Sequence, residues 1–139
     1  MPKLRNVIMI NASPESVWAV LGDLAAVDTW ISGIGQVQVD GYTRICTFAN
    51  GAVQREEISN YSAEQHAYDY TIEGSPLPLK LNRGRFTVEV DGERSRVVWD
   101  AELEVLDVSQ EADVIQMVDG ASKQTLASLR QRIEEVFLS

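Results

Sequence analysis

The stretch from Val108 to Leu138, VSQEADVIQMVDGASKQTLASLRQRIEEVFL, decides the fold. Apolar or small residues fall at Val114, Val118, Ala121, Thr125, Leu129, Ile133 and Val136, with Met117 and Phe137 beside them. This spacing of threes and fours predicts an amphipathic helix with one wide buried stripe. Glu111, Lys123, Arg130 and Glu134 lie on the opposite, solvated face. Asp107 with Gln110, or Ser109 alone, caps the start. Gly120 sits mid-way and costs about 1 kcal/mol relative to Ala. A helix this long cannot bury its stripe unaided, so the upstream chain must wrap it.

Upstream, the hydrophobic period is that of strands. Leu4 to Ile10 is β-rich and apolar on both parities, predicting a strand covered on both faces. Ser13-Pro14-Glu15 then starts a helix, with Ser13 as N-cap, Pro14 in the first position and Val17, Trp18, Val20 and Leu21 on its buried side. Gly22-Asp23 breaks it, and a second short helix runs over about Leu24 to Trp30. Asp40-Gly41 signals a two-residue hairpin pairing Val39 with Tyr42 and Val37 with Arg44. Ala49-Asn50-Gly51 suits a three-residue loop with glycine in the left-handed position. That register pairs Phe48 with Ala52, Cys46 with Gln54 and Arg44 with Glu56, and leaves Thr43, Thr47, Arg55 and Glu57 facing water. From Gln65 to Glu73, His66, Tyr68, Tyr70 and Ile72 face inward. Phe86, Val88 and Val90 mark the inner face of the next strand, which turns at Asp91-Gly92. Val97, Trp99, Ala101 and Leu103 mark the last. The expected fold class is α+β: a curved antiparallel sheet of about seven strands around the C-terminal helix, with two short helices between strands 1 and 2.

Composition limits the possibilities. With 139 residues, the chain is read as one domain, 1–139. A net charge of −9 repels polyanions and argues against nucleic acid and anionic membrane as partners. One cysteine, Cys46, and one histidine, His66, leave neither an internal disulfide nor the usual metal constellations, so no metal and no cofactor are expected. No segment reads as a signal peptide or a membrane span, and a cytoplasmic location is expected. Oligomeric state, monomer or homodimer, is left open.

The element order and particular residues resemble the helix-grip superfamily (START-like, SRPBCC), which includes START lipid-transfer domains, plant pollen-allergen-like proteins and polyketide cyclases. The bacterial polyketide cyclase/dehydrase-like branch is the nearest in pattern. The resemblance spans the whole chain and rests on Ser13-Pro14-Glu15-Ser16-Val17-Trp18, Asp23, Trp30, Gly41, Arg44, Gly51, Glu56, Tyr70, Pro76-Leu77-Pro78 and Trp99, in that order. It departs at Ser32, where the family often carries proline. The resemblance implies an apolar cavity between sheet and C-terminal helix, edged by the Asn50-Gly51 turn and the Gly74 to Pro78 loop.

The inner faces bring polar groups onto apolar ground. Arg44 and Glu56 read either as an ion pair that pins register or as the polar anchor of a cavity. Gln54, His66, Tyr68 and Tyr70 share that face and could satisfy their remaining bonds. With Trp30, Cys46, Phe48, Phe86, Trp99 and, from the helix, Val114, Met117 and Ala121, they make up the expected ligand-binding set. As core residues, the aromatic side chains and Cys46 would need no further role. No nucleophile triad, phosphate loop or metal spacing can be assembled from the sequence. Two ligand-directed functions follow, beside a protein-partner role with a mostly structural cavity. One is a carrier or sequestering protein for a small hydrophobic or aromatic, polyketide- or lipid-like molecule. The other is a cofactor-free cyclase, dehydratase or aromatase, with Arg44 stabilising an anion and Glu56, Tyr68, Tyr70 or His66 moving protons.

Overall fold

A computed structural model describes residues 2–74 and 77–138. Seven strands form one antiparallel sheet in the order β1-β7-β6-β5-β4-β3-β2. They are β1 (Lys3–Ile10), β2 (Ile34–Asp40), β3 (Thr43–Phe48), β4 (Val53–Ser62), β5 (Ala67–Glu73), β6 (Leu79–Asp91) and β7 (Arg94–Val105). Helix α1 (Pro14–Leu21) and a 3₁₀ helix (Leu24–Thr29) lie between β1 and β2, and α2 (Glu111–Leu138) follows β7. None of the described helices is long and apolar enough to cross a membrane.

Local chemistry explains the boundaries. The Ser13 hydroxyl accepts a hydrogen bond from the Ser16 N–H, and Pro14 follows in the first turn. Gly22 closes α1, and the Asp23 carboxylate then caps the 3₁₀ helix by accepting from the Ala25 N–H. Asp107 accepts from the Ser109 N–H and opens the approach to α2.

The three-residue turn before β4 is as expected: Gly51 has φ +90°, and Cys46 pairs with Gln54 and Arg44 with Glu56. Thr43 donates to Glu57, and Arg55 pairs with Glu57 on the outer face. The preceding hairpin is shifted. Its loop residues are Gly41 and Tyr42, so Val39 pairs with Arg44 and Val37 with Cys46. Gly41 takes φ +62°, whereas Tyr42 keeps a negative φ, so glycine occupies the first central position and Asp40 stays in the strand. The β6–β7 hairpin repeats this device: Asp91 pairs with Arg94, and Gly92 has φ +61°. A two-residue shift in pairing preserves parity, so the inward faces of β2 and β3 are unaffected.

Other expectations need correction. Strand β1 is an edge strand covered on one face only: Asn6 and Ile10 are buried, while Val7 is 48 % exposed. Val90, expected inside, is 68 % exposed and lies next to Asp91, the last residue of β6. On α2 the buried stripe is Val114, Val118, Ser122, Leu126, Leu129 and Ile133. Met117 at 47 % exposure, together with Val136 and Phe137, faces outward, because the helix pitch carries the stripe through Ser122 and Leu126.

Helix α2 is seated by two polar contacts as well as by its stripe. Asn6 Nδ2 donates to Asp119 Oδ1 at 3.1 Å, and the Asn11 N–H donates to Glu134 Oε2 at 3.0 Å. Its apolar residues join two separate clusters. Leu126, Leu129 and Ile133 belong to the main core with Ile10, Val17, Leu21, Tyr68 and Val97. Val114 and Val118 pack with Leu103 and Val105. Between these clusters α2 presents Ala121, Ser122 and Thr125, side chains too short to fill the space above the sheet.

Candidate functional site

That space is a cavity of about 170 Å³. The sheet contributes Arg44, Phe48, Gln54, Glu56, Tyr70, Ile72, Asn82, Phe86, Trp99, Ala101 and Leu103. Trp30 and Ile31 close it from the end of the 3₁₀ helix, Leu77 from the β5–β6 connection, and Val118, Ala121, Ser122 and Thr125 from α2. A second small hollow, bounded by Trp30, Ser32, Ala121 and Thr125, adjoins it where the chain after the 3₁₀ helix meets α2. The volume is below the roughly 300–1,000 Å³ usual for drug-sized ligands and near the roughly 150 Å³ that accepts one benzene ring.

Arg44 and Glu56 form the charged end. Their side chains are 2 % and 6 % exposed. Arg44 Nε donates to Glu56 Oε2 at 2.9 Å, and Nη2 donates to Oε1 at 3.0 Å, a bidentate pair. Arg44 Nη1 donates to the Leu24 carbonyl at 3.2 Å, tying the sheet to the 3₁₀ helix. The Cys46 thiol donates to Glu56 Oε2 at 3.5 Å. Burial opposes the Arg44 charge, but Tyr68 and Glu56 outweigh it and hold the guanidinium above its ordinary value. Burial, reinforced by the Glu56 carboxylate, pushes the Cys46 thiol up to about 12. The guanidinium thus keeps its charge, with the Glu56 carboxylate set against it as its bidentate partner.

The aromatic wall is continuous. Phe86 lies 4.7 Å from Trp99 and 5.7 Å from Tyr70 between ring centroids, and Trp30 meets it edge-on at 5.8 Å. Trp99 Nε1 donates to the Tyr70 hydroxyl at 2.7 Å. This crossing requires Gly84: a Cβ there would lie 2.5 Å from both the Tyr70 Oη and the Asp100 carbonyl oxygen. Burial raises the Tyr70 phenol well above its ordinary range, against the effect of the bond from Trp99.

Nine of the expected ligand-binding residues meet around this space: Trp30, Arg44, Phe48, Gln54, Glu56, Tyr70, Phe86, Trp99 and Ala121. Five do not line it. Cys46 lies behind Glu56 in the core. Tyr68 is fully buried among Trp18, Tyr61 and Phe86. His66 sits in the turn before β5 with φ +53° and stacks on Trp18. Val114 is sealed in the second cluster, and Met117 faces solvent. Sequence reading missed Asn82 because it started β6 only near Phe86. The alternation that sends Phe86 and Val88 inward continues back through Gly84 to Asn82, and a strand beginning at Leu79 would have shown it. Of the loop expected at the cavity edge, Ser75 and Pro76 lie outside the described residues, while Leu77 reaches the lining.

Residues 1–134 match the family model described as polyketide cyclase / dehydrase and lipid transport. The chain belongs to that family. Solved structures share the fold. The protein XoxI from Bacillus cereus is 22% identical, with a TM-score of 0.85 over 98% of each chain. A START superfamily protein from Mycobacterium smegmatis is 13% identical, with a TM-score of 0.81, covering 96% of this chain and 98% of that one. An aromatase/cyclase from Streptomyces sp. R1128 is 12% identical, with a TM-score of 0.73, covering 96% of this chain and 93% of that one. No curated protein matches the sequence.

Proposed function

We propose that this family member binds a small hydrophobic or aromatic molecule between the sheet and α2, as a carrier or sequestering protein. The observation that carries the reading is the gap between the two core clusters. Interiors are ordinarily packed to crystal-like density, yet here Ala121, Ser122 and Thr125 stand opposite Phe86 and Trp99 with about 170 Å³ between them. Holding fits the polar end better than turnover does, since the Glu56 carboxylate already neutralises the Arg44 guanidinium through a bidentate contact.

The aromatase/cyclase among the structural neighbours supports a second reading, a cofactor-free cyclase or dehydratase. Arg44 would then stabilise a developing oxyanion, and Glu56 or Tyr70 would move the proton. That reading requires the developing oxyanion to compete with Glu56 for the Arg44 charge, which the carrier does not. Native mass spectrometry of protein purified without denaturation tests the proposal. A non-covalent small-molecule adduct is the expected result. Bare polypeptide mass, combined with no uptake of any ring-sized apolar probe, would overturn it.

A further inference from the structure

We infer that the cavity selects an uncharged, ring-sized ligand carrying a carbonyl-type hydrogen-bond acceptor, and rejects the corresponding carboxylate. This deepens the proposed ligand-binding role and rests on it. Among the described residues that line the cavity, Arg44 and Glu56 are the charged ones, and each already neutralises the other. Two Arg44 N–H groups stay open, but a carboxylate on them would bring a second negative charge against Glu56 in a buried site unless it displaced the Glu56 carboxylate. That carboxylate would then be left buried with the Cys46 thiol as its remaining partner. Breaking a buried pair in this way is strongly unfavourable, so the inward arginine does not attract acids.

Neutral polar groups also line the cavity. The Asn82 side chain, 9 % exposed, and the Gln54 side chain both line the cavity and hydrogen-bond no described protein atom. Trp30 also lines it, and its indole Nε1 is buried with no partner among the described residues. Two amides can donate or accept, while the indole can only donate. A carbonyl oxygen is the acceptor that any of the three can donate to, and the Phe86–Trp99 wall takes the ring. An unpaired buried N–H such as Trp30 Nε1 is costly, so a ligand that accepts from it gains over an apolar one of the same shape.

The test titrates three shape-matched probes, acetophenone, ethylbenzene and benzoate, at neutral pH, following amide and indole cross-peaks by NMR. Acetophenone is expected to bind about threefold to tenfold tighter than ethylbenzene, the scale of one net hydrogen bond. Benzoate is expected to bind more than about tenfold weaker than acetophenone. In Asn82→Leu the ketone's advantage over ethylbenzene should shrink or vanish. Should that variant fail to fold, Gln54→Leu and the wild-type probe comparison decide. Benzoate binding within tenfold of acetophenone, or ethylbenzene equalling the ketone in wild type, would overturn this inference while leaving the binding role intact. Failure of all three probes would overturn both.

Discussion

Replacing Glu56 with Gln removes one charge of the buried pair while keeping the side-chain volume. Arg44 keeps its charge in the variant, because Glu56 is only one of the influences holding its proton and its ordinary value is already far above neutrality. It would retain the Leu24 carbonyl and at most one bond to the new amide oxygen, and it remains shut off from water at 2 % exposure. At an effective dielectric constant of about 20 and a separation of about 4 Å, the lost Coulomb attraction is roughly 4 kcal/mol. Measured losses on breaking buried pairs run at about 3–5 kcal/mol, so Glu56→Gln should fall near the lower end and Glu56→Ala near the upper. With a urea slope of about 2 kcal/mol/M, the midpoint should drop by roughly 1.5–2.5 M. The double variant Arg44→Met/Glu56→Leu removes both charges and should recover most of that loss. A Glu56→Gln midpoint within about 0.5 M of wild type would refute the buried, mutually dependent pair.

Gly120→Ala should stabilise the protein by about 1 kcal/mol in the same titration, because a Cβ there meets nothing within 4 Å and the helix gains propensity. Gly84→Ala should cost about 1–3 kcal/mol and alter Trp99 fluorescence, because the new methyl expels the Tyr70 hydroxyl from its bond with Trp99. Burial pushes the Tyr68 hydroxyl up to about 12 in the fold. An unfolded tyrosine ionises near pH 10. The folded state therefore holds this proton longer, and its contribution is complete below about pH 10 and lost as pH rises toward 12. Tyr68→Phe should make the alkaline decline in urea midpoint shallower while leaving neutral-pH stability within about 1 kcal/mol, since the hydroxyl has no hydrogen-bond partner among the described residues. An unchanged alkaline limb would contradict this.

The fold was legible wherever local chemistry and periodicity agreed. Ser13-Pro14 set the start of α1, and the Asn50-Gly51 turn with its flanking alternation set the Arg44–Glu56 register. Asp-Gly was ambiguous because both residues can occupy a turn. Only the backbone shows that glycine alone takes the positive φ and the aspartate remains in the strand. The error on α2 has a geometric origin. Val114, Val118, Leu129 and Ile133 fit several stripes, and Met117 is apolar but lies off the one that the sheet covers. The site was legible in its sheet residues, where parity gives direction. It was less so on the helix, where the cavity is made by what Ala121, Ser122 and Thr125 fail to fill. That Arg44 and Glu56 face inward followed from register, but that they meet in a bidentate pair required their geometry.

The chain's three tryptophans provide the most direct test of a ligand cavity at this place. Trp30 and Trp99 line the space between sheet and α2. Trp18 lies outside it, packed against Tyr61, His66 and Tyr68, and serves as an internal control. Each gives one indole N–H cross-peak in a nitrogen–proton correlation spectrum. Saturation with a ring-sized apolar probe such as ethylbenzene should move the Trp30 and Trp99 peaks and leave that of Trp18 nearly still. A spectrum in which none moves, or in which Trp18 alone responds, would contradict a binding site between the sheet and α2.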